Sequence, residues 1–171
     1  TSKFKLALLA TERFVFDMPE PQGLNLHVEI DEFLRAIDYC LQSVGMDTGI
    51  PDQLGVTLIP KGDVLNLYST NQQCITHAKV ALKKEATFRR EILSEPFCKQ
   101  MLKLRRTGAK MQIEVNSEYS LFTVGKDTRL FGKVIASENP IDFNQVVKHE
   151  FAKDIRDTQI CIPSKLKLIL E

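Results

Sequence analysis

The most suggestive spacing in the chain belongs to basic residues. Lys99, Lys103 and Arg106 recur at i, i+4 and i+7, with Arg105 beside them, which places the charges on one helix face. Phe97, Met101 and Leu104 fall on the other side. A helix that is apolar on one side and basic on the other can pack on a sheet and present cations to phosphates. Such contacts are non-specific and salt-dependent, with dissociation constants of about 10⁻⁴–10⁻⁶ M. A plain solvated lysine face has the same pattern. Arg35 is a poorer candidate, because it stands among Asp31, Glu32 and Asp38. No aromatic-interleaved basic patch of the kind that stacks single strands accompanies these residues, and Trp is absent.

The search for catalytic and metal chemistry yields little. His27, His77 and His149 lie far apart, and His149-Glu150 does not continue as H-E-x-x-H. There is no G-x-S-x-G, P-loop or G-x-G-x-x-G. Glu138 and Asp142 could be paired as carboxylates, but loop carboxylates are mostly solvated. Cys40, Cys74, Cys98 and Cys161 form no C-x-x-C pair, so a zinc site is not expected. Such isolated cysteines read as buried, reduced small hydrophobes, which favours the cytoplasm. We expect no catalytic residues, no metal and no cofactor.

The 171 residues suffice for one domain with flanking chain. With 43% hydrophobic and 26% charged residues, neither disorder nor a fibre is indicated. A net charge of +1 means that any nucleic-acid role must lie in how charge is distributed. No apolar run approaches the ~18 residues of a membrane helix.

The elements that must position the basic residues repeat within the chain. Residues 24–42 and 88–104 each read as an alternating apolar segment followed by helical periodicity. Asp31 and Ser94 are the expected N-caps. Glu32 and Glu95 suit the helix dipole, and Pro96 the first turn. Phe33, Ile37, Leu41 and Val44 make one apolar stripe; Phe97, Met101 and Leu104 make the other, with Cys98 and Leu102 alongside. Strands are expected over Leu54–Ile59, Val64–Ser69 and Cys74–Leu82, then over Met111–Val115, Tyr119–Val124 and Leu130–Ala136, separated by turn residues such as Lys61-Gly62-Asp63 and Gly125-Lys126-Asp127. Residues 24–82 and 88–136 are thus two copies of one strand–helix–three-strand unit. Together they predict an α+β domain with pseudo-two-fold symmetry and its helices on one side.

A longer period links the ends. Ala10-Thr11-Glu12 falls on Ala136-Ser137-Glu138 at a shift of 126, and Ile30-Asp31-Glu32-Phe33-Leu34 on Ile162-Pro163-Ser164-Lys165-Leu166 at a shift of 132. The chain also begins at Thr1 and stops within an apolar run, Leu166 to Leu170. We therefore expect a slice of a larger protein: residues 1–20 as the terminal strand of a preceding domain, 21–150 as a complete domain, and 151–171 as a linker and the start of a following one.

This order of elements resembles the bacterial-type DNA sliding clamp, the beta subunit of the replicative polymerase, and specifically its middle domain. The resemblance covers nearly the whole chain. Its best stretches are residues 28–37, Leu65-Asn66-Leu67-Tyr68-Ser69-Thr70-Asn71, and residues 139–147, which are similar to the segment that closes the family's middle domain. The resemblance implies a DNA-clamp fold in a homo-oligomeric ring around duplex DNA, with helices lining the hole. It implies non-specific backbone contacts from Lys99, Lys103, Arg105, Arg106 and Arg35. It further implies a replicative polymerase and a clamp loader as partners, docking short peptides in a pocket whose wall here would be Thr70, Ile75, Pro140, Gln145 and Val146. A membrane has no part in it.

Two departures bear on the partner peptide. Where the family has an acidic residue, a glycine, a histidine and an arginine after Ser69-Thr70, this chain has Asn71, Gln72, Gln73 and Cys74. Asn144 and Gln145 replace the basic residues that often precede the valine of the closing segment. Both fit a divergent branch, such as a viral or mobile-element clamp. The alternative function is a stand-alone protein-interaction module that uses a clamp-like fold without encircling DNA.

Overall fold

The computed structural model describes residues 26–46, 49–86, 88–105 and 109–146. The segments assigned above to neighbouring domains, 1–20 and 151–171, lie outside the described residues, as do Arg106 and Cys161.

The described chain is α+β. Helix α1 (Ile30–Leu41) leads through a 3₁₀ turn (Pro51–Gln53) to three strands: β1 (Gly55–Lys61), β2 (Val64–Thr70) and β3 (Ile75–Ala81). Then β4 (Glu91–Ser94) and α2 (Glu95–Leu104) precede β5 (Met111–Val115), β6 (Tyr119–Val124) and β7 (Thr128–Lys133), and a short helix α3 (Phe143–Val146) closes the described chain. The strands form two antiparallel sheets, β3-β2-β1-β4 and β5-β6-β7.

The opening segments of the two units cross over, although among the described residues the first unit's segment makes an isolated bridge at Val28 rather than the expected strand. β4 opens the second unit yet pairs with β1 of the first, from Gly55 opposite Ser94 to Leu58 opposite Glu91. Reciprocally, the Leu26 amide, ahead of α1, donates to the Ile113 carbonyl of β5 at 2.8 Å. Each opening segment also bridges the last strand of its own unit, Val28 to Leu82 and Leu93 to Val134. This is the pseudo-two-fold expressed in hydrogen bonds. Gly55 is required at the exchange, because a Cβ there would stand 1.9 Å from the Leu93 carbonyl oxygen.

The helices pack against each other and over the strands, α1 on β1, β2 and β3, and α2 on β1, β4 and β7. The core between them contains Phe33, Ile37 and Cys40 of α1, Phe97, Cys98 and Met101 of α2, and Leu58, Leu67, Ile113 and Phe122 from the sheets. Burial of such side chains, at about 1.5–3 kcal/mol each, holds the helices down.

Some local expectations are corrected. Asp31 is not the N-cap of α1: the helix begins at Ile30, two residues earlier than that cap would place it, with Glu29 in the cap position, and neither helix has a side-chain cap bond. The Asp31 carboxylate is engaged elsewhere, by Arg105 at 2.8 Å. Ser94 does occupy the cap position of α2. The last strand ends at Lys133 rather than Ala136, because its continuation turns to bridge Leu93. Cys40 and Cys98 are buried as expected, but Cys74 is exposed in the turn after β2.

Candidate functional site

Two surfaces come from the sequence-derived candidates. The first is the face of the helix pair. Lys99 and Lys103 are exposed on α2, and Arg105 follows at its end. Lys99 is paired with Glu95 one turn earlier at 2.5 Å. Arg105 reaches across to Asp31 of α1, and Arg35 donates its Nε–H to the Asp31 carbonyl at 3.3 Å. On the two helices and Arg105, the basic Arg35, Lys99, Lys103 and Arg105 are matched by Asp31, Glu32, Asp38 and Glu95. Among the described residues these charges balance in number, and two of the cations, Lys99 and Arg105, are held by carboxylates. Exposed pairs of this kind contribute about 0–1 kcal/mol, so a competing phosphate could displace them.

The second surface is a groove of about 420 Å³, lined by Ile50, Gln53, Thr70, Gln72, Gln73, Cys74, Ile75, Ile141 and Val146. It brings together Thr70, Ile75 and Val146 of the five expected wall residues. Pro140 instead lines a neighbouring cavity of about 280 Å³ beside Arg90 and Ser137. Gln145 is exposed, its amide donating to Asp142 Oδ1 at 3.1 Å. Ile50, Gln53 and Ile141 were not anticipated from sequence, because they lie outside regular strands and carry no periodic signal.

One wall of the groove is a self-tied turn. Thr70 Oγ1 donates to the Cys74 carbonyl at 2.9 Å, and Asn71 Oδ1 accepts from the Gln73 and Cys74 amides at 3.1 and 2.8 Å. Gln72 is left-handed, at φ 70°. The other wall is the closing segment. Its anchor is Phe143, whose ring stacks on Tyr68 at 4.7 Å between centroids; Tyr68 in turn stacks on His77 at 4.4 Å. Burial raises the Tyr68 pKa, with the Asp142 charge adding to the rise. Burial lowers the His77 pKa, with Lys79 contributing.

Beneath the groove lies an ion pair that sequence reading did not single out. Asp52, fully buried in the 3₁₀ turn, pairs with Arg90. It also accepts from Thr57 Oγ1 at 3.4 Å, Ser137 Oγ at 2.9 Å and the Ile141 amide at 3.3 Å. A buried carboxylate is tolerated only with such partners. No group of His, Cys, Asp and Glu suited to a metal ion occurs among the described residues.

The arrangement matches that of solved proteins. The chain superposes on the DNA polymerase III beta subunit of Thermotoga maritima at a TM-score of 0.69, with 15% identity, covering 81% of this chain and 38% of that one. The fold is that of a sliding-clamp domain. The DNA polymerase sliding clamp of Pseudomonas aeruginosa gives a TM-score of 0.70 at 18% identity, over 85% of this chain and 40% of the clamp. The beta clamp of Helicobacter pylori, solved in complex with 3,4-difluorobenzamide, gives 0.68 at 15% identity over the same shares. The chain thus spans about two-fifths of the length of these clamps. No family model and no curated protein sequence matches it. No helix among the described residues is long and apolar enough to cross a membrane.

Proposed function

We propose that this chain is the middle domain, with pieces of both neighbours, of a divergent sliding clamp that acts without catalysis by tethering replication proteins to duplex DNA. The groove carries the reading. It joins apolar walls from Ile50, Ile75, Ile141 and Val146 to hydrogen-bonding groups from Thr70, Gln53, Gln72 and Gln73, the combination by which a short linear peptide is docked. Among the described residues, no charged side chain lines it. Partner peptides, from a polymerase or a clamp loader, would be gripped here by apolar contact and by hydrogen bonds to side-chain amides and the Thr70 hydroxyl.

In this reading, residues 1–20 end a preceding clamp domain, residues 151–171 lead into the next, and the full-length protein forms a homo-oligomeric ring in the cytoplasm. Lys99, Lys103, Arg105, Arg106 and Arg35 give weak backbone contacts with duplex DNA. Pro140 and Gln145 belong to the rim of the partner site rather than its floor.

The pairing of Lys99 with Glu95 and of Arg105 with Asp31 favours a second reading, a protein-binding module with a clamp-like fold that never encircles DNA.

The groove is tested by titrating 3,4-difluorobenzamide into protein with labelled isoleucine methyls. Shifts confined to Ile50, Ile75 and Ile141 are expected; uniform shifts, or shifts at Ile92 and Ile113 alone, would mean that the groove is not a docking site. Ring function is tested on the full-length protein by salt-dependent DNA binding. Lys99→Ala with Lys103→Ala should reduce the slope of log K against log salt by about 2. Equal slopes would favour the module.

A further inference from the structure

The two walls of the groove are held by different means. The Thr70–Ile75 wall is part of the β2–β3 hairpin and is tied within itself. The wall of Ile141 and Val146 follows the last strand and reaches the domain through side chains. Ile141 is gripped at both backbone groups: its amide donates to Asp52 Oδ2 at 3.3 Å, and its carbonyl accepts from Arg90 Nη1 at 3.0 Å. Two residues on, Phe143 is inserted against Tyr68, with the Arg90 guanidinium 5.5 Å from its ring centroid. Arg90 thus touches the acid, the backbone and the ring at once. Asp52 lies in the chain between Ile50 and Gln53, both of which line the groove.

We propose that Asp52, Arg90 and Phe143 are positioning residues of the groove, a three-part latch that sets the distance of the Ile141–Val146 wall from the Gln72–Ile75 wall. The significance of the latch rests on the groove being a docking site, but its existence does not. Releasing it frees the closing segment while leaving the strand ladders intact, because none of its bonds belongs to a ladder. The width of the groove is therefore tuned from beneath, by residues that a bound peptide does not touch.

The test needs no ligand. In a Cys161→Ser background, a nitroxide on exposed Cys74 reports the distance to the Ile141 and Val146 methyls by paramagnetic broadening, and amide exchange is followed in parallel. Phe143→Leu keeps an apolar side chain and removes the ring; Asp52→Asn keeps the shape and removes the charge. Either should raise exchange about ten-fold at Ile141, Gln145 and Val146 and weaken the broadening there, while the β1 and β2 amides, which open only with the whole domain, stay the more protected set. Phe143→Tyr, which keeps the ring, should restore the wild-type pattern. Exchange in β1 and β2 as fast as in the closing segment, or no change at the closing segment in either variant, would overturn the latch. If Phe143→Leu does not fold, Asp52→Asn decides. A groove that binds no probe while the latch behaves as described would count against the docking reading alone.

Discussion

Asp52→Ala should be among the most damaging single changes in the domain, although it removes no apolar surface. The carboxylate is fully buried and accepts from Arg90, Thr57, Ser137 and the Ile141 amide. Removing it leaves Arg90 as an uncompensated cation with its side chain only 23% exposed and its Nε already without a partner. Breaking a buried pair from one side costs about 3–5 kcal/mol. The partial opening of Arg90 to solvent places this case at the lower end, about 3 kcal/mol. Domains of this size have about 5–15 kcal/mol in total, so the variant should still fold. With a urea dependence of about 1–3 kcal/mol/M, the unfolding midpoint should fall by about 1.5 M. A fall below about 0.5 M would refute the reasoning, because the carboxylate would then be replaceable by water at little cost. Removing both charges with Asp52→Leu and Arg90→Met should cost less than Asp52→Leu alone. The coupling in a double-mutant cycle would measure the penalty of the stranded charge.

Other consequences can be checked singly. Burial pushes the Glu91 carboxyl up from 4.5 to about 7. The folded state therefore holds a proton that the unfolded state has lost, so this group makes stability fall as pH rises from 4.5 to about 7 and level off above. Glu91→Gln should flatten that part of a denaturation-versus-pH curve. Gly132→Ala would place a Cβ 2.4 Å from the Phe97 ring, an overpacking that should cost about 1–3 kcal/mol by urea denaturation. Gly55→Ala meets backbone instead, and should abolish folding as read by amide dispersion. In the native protein, alkylation mapped by peptide mass should modify Cys74 and spare Cys40 and Cys98. Burial pushes the Cys40 thiol up to about 12 and the Cys98 thiol up as well.

Strands and helices were legible because their patterns are local. Val64–Thr70 and Tyr119–Val124 are short apolar-rich runs between turn residues, and Phe33, Ile37, Phe97 and Met101 fall at helical spacing. The start of α1 was misplaced because a residue 74 positions away, Arg105, takes up the carboxylate that would have capped it. The groove was legible in part. Thr70, Ile75 and Val146 stand at strand ends and in the closing segment, where the resemblance to clamps directs attention. Ile50 and Gln53 sit around a 3₁₀ turn with no periodicity of its own. The Asp52–Arg90 pair joins residues 38 apart in irregular chain, and a lone aspartate after a proline looks like a solvated turn residue. The helix pair shows the limit of counting charge along one helix: Lys99, Lys103 and Arg105 form a basic run in sequence, while α1 brings Asp31 to Arg105 and Glu95 holds Lys99.

The reciprocal crossing of opening segments governs how the chain can reach this state. β4 must find β1 across the intervening hairpin, and Leu26 must find Ile113 across most of the domain. Neither unit can complete its sheet before the other is present, so the two halves are interlocked rather than stacked. Pairings this distant in sequence raise contact order and slow the search. The domain should fold late and all at once, with no stable half-domain. A break in the segment between β3 and β4 would yield two pieces, each waiting for the strand held by the other.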